Sequence, residues 1–375
     1  MPGVQRIAII GGGYAGLAAA TALSKSNEAE LDVHLFDQHA SHLLLTDLHK
    51  TVHSPLSSLQ VPFQSIARRY RFTFHQQEIN ETQIQKLIET QRLACENAPE
   101  NYHFIVIATG SKAIEFSTEG HHAPVFLNES SIKERTLHLQ LERVLTKVKN
   151  PTITIVGLGP TGIQFLFELD DHLKRQKVNA SLRILGLESR FLPTFNEAFH
   201  KYILKRCNER HIEVLFEASY LKPAETGICI DQYQKKFDLN SDLTFFFAGV
   251  KPHPQMWQAD RFGRHRSPGQ ISENVFIAGD CSHFEGAGLN RLTAQAAVRK
   301  GKIIAANIER ALQNKPLKPY GYKEMGYFIS LGNSDGIGWL LWPTNIVTGL
   351  PAFAIKEAIE FQFRLLLDGI DTYFF

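Results

Sequence analysis

The chain has few of the features that mark several common protein classes. Its 375 residues contain only four cysteines, Cys95, Cys207, Cys229 and Cys281, and none of them forms a C-x-x-C pair. This scarcity argues against a disulfide framework or a cysteine-based zinc site, and it favours a reducing compartment. The formal net charge is only +2, so the composition by itself indicates no nucleic-acid partner.

Long hydrophobic runs are also missing. No apolar stretch reaches the roughly 18 residues that a transmembrane helix needs, so we expect any membrane contact to be peripheral. The charged fraction of 21% and the hydrophobic fraction of 43% are ordinary for a globular protein, which excludes disordered and collagen-like classes. At about 150 residues per domain, the length predicts two or three domains.

The N-terminal segment carries a complete strand–turn–helix pattern for binding a dinucleotide. Ile7 to Ile10 predict a buried parallel strand, and Leu17 to Leu23 predict a helix. Between them, Gly11, Gly13 and Gly16 have the G-x-G-x-x-G spacing. In this fingerprint the three glycines permit a tight turn, close approach of a pyrophosphate, and close packing of the helix on the strand.

Asp37 strengthens the dinucleotide prediction. It ends the predicted strand LDVHLFD and lies 21 residues after Gly16, where a carboxylate can accept a hydrogen bond from a ribose hydroxyl. The alternative is a secretory signal peptide, because the N-terminal segment is apolar and includes an alanine run. Cleavage there would destroy a strand, turn and helix that are complete in every part, so we favour nucleotide binding.

The same pattern occurs a second time, in PTITIVGLGPTGIQFLFEL. Thr152 to Val156 predict a strand, and Gly157, Gly159 and Gly162 repeat the spacing before a helix that opens at Ile163. Two complete fingerprints in one chain predict two dinucleotides that face each other, a bound flavin and a diffusible nicotinamide. The alternative that one fingerprint is vestigial, and only packs a helix against a strand, stays open.

The second unit departs from the pattern at its ribose-binding position. An acidic residue is expected directly after Ile184 and Leu185, but Gly186 stands there. Glu188, two residues further on, faces the same side of an extended segment and is predicted to substitute for it. Although Arg190 is near, no arginine cluster for a 2′-phosphate is evident, so we predict NADH in preference to NADPH.

Three histidines follow the second predicted strand. His42, His49 and His53 have no carboxylate or cysteine that would complete a ligand set, so we predict a polar loop and no metal site here. A further strand ends in Ala108, Thr109 and Gly110, a turn of small residues that lets the chain pass close to a bound cofactor.

The C-terminal segment differs in composition from the rest. Residues 316–375 are rich in aromatic residues and glycine, and Ala352 to Leu367 predict an amphipathic helix. Its predicted apolar stripe consists of Ile355, Ile359, Phe363 and Leu366. We predict that this stripe lies on a membrane surface, with Trp339, Trp342 and the terminal aromatics at headgroup depth. The alternative is that the stripe packs against a protein core or a second subunit.

In combination, these motifs resemble those of the type II NADH dehydrogenases, single-subunit flavoproteins with two dinucleotide sites. GGGYAG, IATGS, VGLGPTGIQ, FFAGVKP, FIAGDCS, TAQAAVRKG and YKEMGYFISLG follow the order and approximate spacing of that family. The resemblance implies FAD in the first unit, NADH in the second, and a quinone site beneath the flavin. It further implies hydride transfer from NADH to flavin N5 and then electron transfer to a membrane quinone without proton pumping.

The expected fold class is α/β, with two Rossmann-like dinucleotide-binding domains of the glutathione-reductase type and a C-terminal membrane-associating segment. Residues 1–112 and 253–315 are predicted to form the FAD-binding domain, and residues 113–252 the NAD(P)H-binding domain. Residues 316–375 are predicted to face the membrane on its cytoplasmic side and to roof the quinone site. A homodimer is left open.

The predicted cofactor-binding residues follow from the motifs, and the resemblance adds that Asp280 bonds the ribityl chain of FAD. For FAD they are Gly11, Gly13, Tyr14, Ala15, Gly16, Asp37, Ala108, Thr109, Gly110, Gly279 and Asp280. For NADH they are Gly157, Gly159, Thr161, Gly162, Glu188 and Gly249.

The predicted catalytic residues include two departures from the family. Gln295 fits the quinone-side A-Q-x-A-x-Q motif, but Arg299 replaces its second glutamine. Gln164 replaces the glutamate that usually follows the second fingerprint, so this position cannot titrate. Three alternatives remain: a reductase of a soluble electron carrier, a sulfide:quinone oxidoreductase, which would need juxtaposed cysteines, and a non-catalytic redox-sensing flavoprotein.

Overall fold

A sheet of hydrophobic strands forms the centre of the first nucleotide-binding unit. In this computed structural model, residues 3–26, 30–113, 125–126, 136–247 and 249–373 are described. The predicted aromatics Phe374 and Phe375, and Ala248 of the FFAGVKP motif, lie outside these ranges. Ile7–Ile10 are buried and pair in parallel with a strand on each side, as a near-continuous apolar run predicts.

The first sheet has eight strands, in the spatial order β20-β17-β18-β19-β6-β1-β2-β5. Their bounds are β1 (Gln5–Ile10), β2 (Leu31–Asp37), β5 (Thr73–Gln76), β6 (Phe104–Ile107), β17 (Trp257–Ala259), β18 (Arg264–Ser267), β19 (Gln270–Ile277) and β20 (Ser282–Phe284). Four of them follow the second unit in the chain, so the first unit is discontinuous in sequence.

The second unit is built on a five-stranded parallel sheet, in the order β11-β10-β9-β15-β8. Its strands are β8 (Val125–Phe126), β9 (Thr152–Val156), β10 (Ser181–Leu185), β11 (Glu213–Leu215) and β15 (Leu243–Phe246). β9 carries the second fingerprint and has a parallel neighbour on each side, which reproduces the arrangement around β1.

Smaller sheets complete the two units and the C-terminal region. They consist of β3 (Ser41–Leu43) with β4 (Gln60–Pro62), β7 (Ser111–Ala113) with β16 (Val250–Pro252), β12 (Ala218–Ala224) with β13 (Gly227–Gln232) and β14 (Lys235–Asn240), and β21 (Gly326–Ser330) with β22 (Gly336–Leu340) and β23 (Ile346–Thr348). The β7–β16 pair is where the chain leaves the first unit and where it returns.

Eight α-helices occur in the described part of the chain. They are α1 (Tyr14–Leu23), α2 (Phe63–Tyr70), α3 (Glu81–Thr90), α4 (Thr136–Lys147), α5 (Pro160–Arg175), α6 (Glu197–Glu209), α7 (Ala294–Leu312) and α8 (Leu350–Leu367). Short 3-10 segments cover Leu45–Val52, Leu56–Leu59 and Gly279–Cys281.

Helix α1 is buried on nearly every side, which explains its run of alanines and leucines. It lies against α7, and the contact is close because Gly301 of α7 has no side chain. A Cβ atom at Gly301 would lie 2.2 Å from the carbonyl oxygen of Ala15. The two helices therefore approach each other through backbone, at the point where α1 begins.

Helix α8 corrects the prediction for the C-terminal segment. Phe363 and Leu366, predicted to lie at a membrane surface, are buried in the core of the first unit, and Trp339 is buried as well. For these three residues the alternative of packing against a protein core is right. The apolar residues that are exposed include Leu350 at 62%, Phe361 at 57% and Trp342 at 61%.

The error has a simple geometric cause. Helix α8 carries apolar residues around more than half of its circumference, so periodicity alone shows two candidate faces. Leu350, Ala354, Ala358 and Phe361 follow one another at intervals of three or four residues on the exposed face. Within the residues that the structure describes, none of the helices combines the length and the hydropathy needed to cross a bilayer.

The contact between α1 and α7 generates a stability prediction. Gly301→Ala is expected to lower the free energy of unfolding by about 1–3 kcal/mol, because the new methyl group meets backbone that cannot rotate away. Urea unfolding followed by circular dichroism measures the loss. Gly321→Ala is the matched control, since a Cβ there has no atom within 4 Å. Equal unfolding midpoints for the two variants would contradict the prediction.

Candidate functional site

The first fingerprint forms a tight turn with one open position. Gly11 has φ +104°, and a Cβ there would lie 2.4 Å from the carbonyl oxygen of Ala108. At Gly16 a Cβ would lie 1.9 Å from the carbonyl oxygen of Gly11, whereas at Gly13 no atom lies within 4 Å. Gly13 is the N-cap of α1, so the open space adjoins the free N–H groups of a helix N-terminus, which favour a phosphate.

The second fingerprint has the same geometry. Gly157 has φ +123°, and a Cβ there would lie 2.3 Å from the carbonyl oxygen of Phe247. A Cβ at Gly162 would lie 2.3 Å from the carbonyl oxygen of Gly157, and Gly159, the N-cap of α5, has no atom within 4 Å of its Cβ position. The open position at the helix N-terminus is therefore preserved, which argues against a vestigial fingerprint.

Asp37 is fixed beside the first fingerprint. Its Oδ2 accepts a hydrogen bond of 2.7 Å from the backbone N–H of Gly12, and its Oδ1 accepts one of 2.8 Å from the backbone N–H of His39. The carboxylate thus ends β2 in a defined orientation at the glycine turn. Oδ1 also lies 3.1 Å from His39 Nδ1, so Oδ2, with one donor, is the oxygen that keeps a lone pair for a further donor.

The small-residue turn after β6 lies close to Asp280. Thr109 Oγ1 donates to the carbonyl oxygen of His253, and Ser111 Oγ donates to Asp280 Oδ2 at 3.0 Å. Burial raises the pKa of Asp280, while the Ser111 hydroxyl and the Lys300 charge oppose that rise. The turn, the β7–β16 pair and Asp280 therefore meet at one edge of the first sheet.

Glu188 reaches back towards the position of the missing acid. A Cβ built on Gly186 would lie 3.0 Å from Glu188 Oε2 and 2.7 Å from Leu158 Cγ. The contact with Leu158 explains why residue 186 has no side chain. The Glu188 carboxylate consequently occupies space next to the end of β10, beside the second fingerprint.

The remaining predicted cofactor residues take up varied environments. Tyr14 and Ala15 are buried, Thr161 is exposed in the first turn of α5, and Gly249 has φ +89° with no atom near its Cβ position. Gly279 also has a positive φ, and its Cβ position lies 3.2 Å from Ala15 Cβ. The turn that carries Asp280 thus packs directly on the first turn of α1.

The three predicted catalytic residues contact different segments. Arg299 Nη1 donates to the carbonyl oxygen of Lys323 at 2.9 Å, and the guanidinium lies over the ring of Tyr322. Gln295 is half-buried in the first turn of α7. Gln164 Oε1 accepts hydrogen bonds from both the N–H and the hydroxyl of Ser330, each at 3.2 Å.

The prediction of a polar loop for the three histidines is wrong for two of them. His42 and His49 are buried, and only His53 is exposed. His42 Nδ1 lies 2.9 Å from the carbonyl oxygen of Gly12, and its ring contacts Tyr14 and Phe363. Burial lowers the pKa of His42 to about 4, so its ring is neutral.

His49 belongs to a partly buried group of charged side chains that joins Leu45–Val52 to α8. We name this group the α8 charge cluster; it consists of Asp47, His49, Lys50, Lys356, Glu357, Glu360 and Arg364. Lys356 Nζ lies 3.0 Å from His49 Nε2 and 2.9 Å from Glu360 Oε1. Arg364 Nη2 lies 2.8 Å from Asp47 Oδ2. The i, i+4 spacing of Lys356, Glu360 and Arg364 is visible in the sequence, but their contact with Leu45–Val52 is not, because the two halves are about 300 residues apart.

The two buried acids of the cluster have pKa values shifted in opposite directions. Burial raises the pKa of Glu360 to about 8, and the adjoining Asp47 adds to that rise against the charge of Lys356. Burial would also raise the pKa of Asp47, but hydrogen bonds with Glu360 and the charge of Lys50 outweigh it and lower the pKa below its usual range. At neutral pH, Glu360 is therefore protonated beside an ionised Asp47.

All four cysteines are free, and none has the character of a reactive thiolate. Burial raises the pKa of each thiol, that of Cys207 to about 12. A redox thiol pair needs a lowered pKa and access to a partner. This finding disfavours a mechanism that depends on cysteine.

Comparison with known proteins gives a consistent result. A family model described as pyridine nucleotide-disulphide oxidoreductase matches residues 5–301. The type II NADH:quinone oxidoreductase of Staphylococcus aureus strain MSSA476 is 26% identical over 398 residues, which cover 99% of this chain and 98% of that protein. The same name describes the relative from strain NCTC 8325, also at 26% identity.

Solved structures share the fold across nearly the whole chain. NDH2 of Plasmodium falciparum in complex with NADH has a TM-score of 0.78 at 15% identity, covering 96% of this chain and 94% of that one. The sulfide:quinone oxidoreductase of the hyperthermophilic bacterium Aquifex aeolicus has a TM-score of 0.79 at 14% identity, covering 98% and 92%. At such identities these likenesses concern the fold alone, and they confirm the predicted α/β class.

The α8 charge cluster generates a prediction about pH. The folded pKa of Glu360 lies above the ordinary value of 4.5, so its contribution to stability is complete below pH 4.5 and is lost as the pH rises through about 8. Glu360→Gln cannot ionise and should keep at least about 1 kcal/mol more of its stability between pH 5 and pH 8 than the unmodified chain. Thermal unfolding across this range measures the difference.

The neighbouring Glu357 provides the matched control. Its pKa is lowered, in spite of burial, by the Lys50 and Lys356 side chains, so it stays ionised over the same range. Glu357→Gln should therefore leave the slope of stability against pH unchanged. Parallel slopes for Glu360→Gln and the unmodified chain would show that Glu360 does not titrate there.

Proposed function

Because the chain belongs to the pyridine nucleotide-disulphide oxidoreductase family, within its type II NADH:quinone oxidoreductase branch, we propose that it is an FAD-dependent NADH:quinone oxidoreductase. The observation that carries the proposal is the pair of dinucleotide-binding turns with equal geometry, each open at its middle glycine. One turn would hold the resident FAD and the other the diffusible NADH. Bound FAD would supply the redox chemistry, accepting hydride and passing on electrons.

The residues of the first unit fit FAD. The open space at Gly13 and the N–H groups of α1 suit the diphosphate, and Asp37 is oriented at the end of β2 to accept from a ribose hydroxyl. Asp280, which accepts a hydrogen bond from Ser111 at the edge where the turn after β6 arrives, would bond the sugar-alcohol chain. The task of these groups is to bind and orient the cofactor, and no side-chain nucleophile is needed.

The second unit would bind NADH in preference to NADPH. The Gly159 opening suits the diphosphate of the nucleotide, and the Glu188 carboxylate beside Gly186 suits a ribose diol. The same carboxylate would repel a 2′-phosphate, which carries negative charge. Gln164, held by Ser330, would present a neutral amide at the first turns of α5, where it can orient but cannot exchange a proton.

The acceptor that we propose is a quinone, reached at a membrane surface. Support comes from the exposed apolar side chains of the C-terminal region, Leu350, Phe361 and Trp342, which suit an interfacial position. Docking would be peripheral, on the cytoplasmic side, and electron transfer would proceed without proton pumping. Gln295 and Arg299, on α7, are our candidates for the quinone side.

Steady-state oxidation of NADH with a short-chain quinone tests the function. We expect turnover that needs bound FAD and is faster with NADH than with NADPH. Glu188→Ala should raise the KM for NADH by about tenfold through loss of a charged hydrogen bond. Glu225→Ala, in the turn between β12 and β13, is the control. Reduction of the flavin without quinone turnover would instead favour a redox-sensing protein or a reductase of a soluble carrier.

A liposome assay tests the proposed membrane surface. The double variant with Trp342→Ser and Phe361→Ser should lose most of the binding that survives a high-salt wash, because apolar contact is insensitive to salt. Tyr233→Ser is the control, since Tyr233 is 68% exposed but lies in the hairpin between β13 and β14. If the unmodified chain, the double variant and Tyr233→Ser were retained equally on liposomes, the proposal that this surface binds the membrane would be wrong.

A further inference from the structure

Lys300 is a buried cation that the proposed function leaves unexplained. Its side chain is 1% exposed, on the face of α7 that packs against the first unit. The Nζ atom has three neutral acceptors, the carbonyl oxygens of Gly279 at 3.2 Å and Ser282 at 3.4 Å and the Ser282 hydroxyl at 2.8 Å. Three acceptors match the three N–H groups of a protonated amine.

The positive charge of Lys300 lacks a directly bonded counter-charge. Among the described residues, no carboxylate lies within ion-pair distance of its Nζ atom, although the charge of Asp280 acts on it over a longer distance. The amine also lies 5.1 Å from the centre of the Phe284 ring, which stabilises a cation. Burying an ammonium without an anion is costly, so a charged partner from outside the chain would relieve that cost.

The position of Lys300 identifies where such a partner would bind. The next residue, Gly301, packs on the Ala15 carbonyl in the first turn of α1. Gly279, whose carbonyl oxygen accepts from Lys300, packs on the Ala15 side chain. Lys300 therefore lies directly behind the junction of the α1 N-terminus with the turn that carries Asp280.

We propose that Lys300 is a positioning residue for FAD, which fixes the Gly279–Ser282 turn and supplies the positive charge that the cofactor's diphosphate balances. The inference rests on the proposed FAD site. The N-terminus of α1 contributes only a partial charge, so a full charge behind the same turn adds substantially to the attraction for a dianion. Lys300 acts by holding the Gly279–Ser282 turn and through the electrostatic field of its charge, and it needs no contact with the cofactor.

The ionisation of Lys300 gives this role a measurable signature. Burial lowers the pKa of Lys300 to about 8, against the effects of Asp280 and Cys281. A bound dianion favours the protonated amine and raises that pKa, so FAD affinity is highest below about pH 8 and falls as the pH rises through the pKa of the FAD-bound protein. A rise of about one pKa unit corresponds to about a tenfold change in affinity.

The other groups near Lys300 are separated from it by the variant. Asp280 and Cys281 face it from the adjacent turn, and burial raises the pKa of each group. A pH step that came from either of them would persist in Lys300→Gln, whereas a step that comes from Lys300 would not. On α7 itself, Arg299 is bonded to the Lys323 carbonyl oxygen and Lys302 is paired with Asp371. The face of α1 against Gly301 of α7 contributes the Ala15 carbonyl group and the Ala18 methyl group, neither of which titrates.

The test measures release of FAD from the full-length protein on dilution, followed by the fluorescence of free FAD, between about pH 6.5 and about pH 9.5. The unmodified chain should bind FAD about tenfold more weakly at the upper end of this range. Lys300→Gln keeps a donor for the Gly279–Ser282 turn but carries no charge, and Lys300→Met removes both. We expect Lys300→Gln to bind FAD more weakly than the unmodified chain at the lower end of this pH range, and its FAD affinity should not change with pH.

Lys315→Gln, which removes an exposed charge just after α7, should behave as the unmodified chain does. If Lys300→Gln keeps both the affinity and the pH step, the charge has no role and the inference is overturned. A Lys300→Met variant that does not fold leaves the comparison intact, because Lys300→Gln retains the hydrogen bond. The assay uses neither NADH nor quinone, so a protein that binds FAD but does not reduce quinones would defeat the proposed function and leave this result standing.

Discussion

The structure depends on the direct approach of one backbone to another with no Cβ atom between them. At each fingerprint, the third glycine places the first turn of a helix on the carbonyl oxygen of the first glycine. The first glycine in turn lies on the carbonyl end of the neighbouring strand, at Ala108 or Phe247. These contacts fix the direction in which the N-termini of α1 and α5 point. Because no side chain fills the middle position, the same constraint that packs the helix also leaves room for a phosphate.

Features that depend on local spacing could be predicted from the sequence. The strands and turns of both units follow from apolar runs and glycines that lie within about twenty residues of each other. The position of Glu188 could also be anticipated, since alternation along an extended segment puts it on the side of Gly186. Contacts between distant segments could not be predicted, since they depend on which surfaces meet. His42 and His49 are buried by Phe363 and Lys356, and neither partner has a local signal.

The polar side chains that depart from the family pattern, Gln164 and Arg299, are each held by a hydrogen bond with a backbone group. Gln164 places an amide where the family resemblance implies a titratable acid, and its Oε1 accepts hydrogen bonds from the backbone N–H and the hydroxyl of Ser330. Arg299 is held by the Lys323 carbonyl oxygen and the Tyr322 ring, so its charge is anchored at the outer part of α7. Lys300 carries its charge inward instead. Neighbouring cations on one helix therefore serve opposite surfaces of the first unit.

Segments about 300 residues or more apart are bound together in the first unit. The Lys25 amine donates to the carbonyl oxygen of Gly369, and the Tyr70 hydroxyl donates to that of Leu366. Phe363 packs on Tyr14, in the first turn of the first helix. During synthesis, the first fingerprint leaves the ribosome hundreds of residues before α8, the helix that covers it. The core around α1 is thus completed only after α8 has been made, so the nascent first unit must persist with an uncovered apolar surface until then.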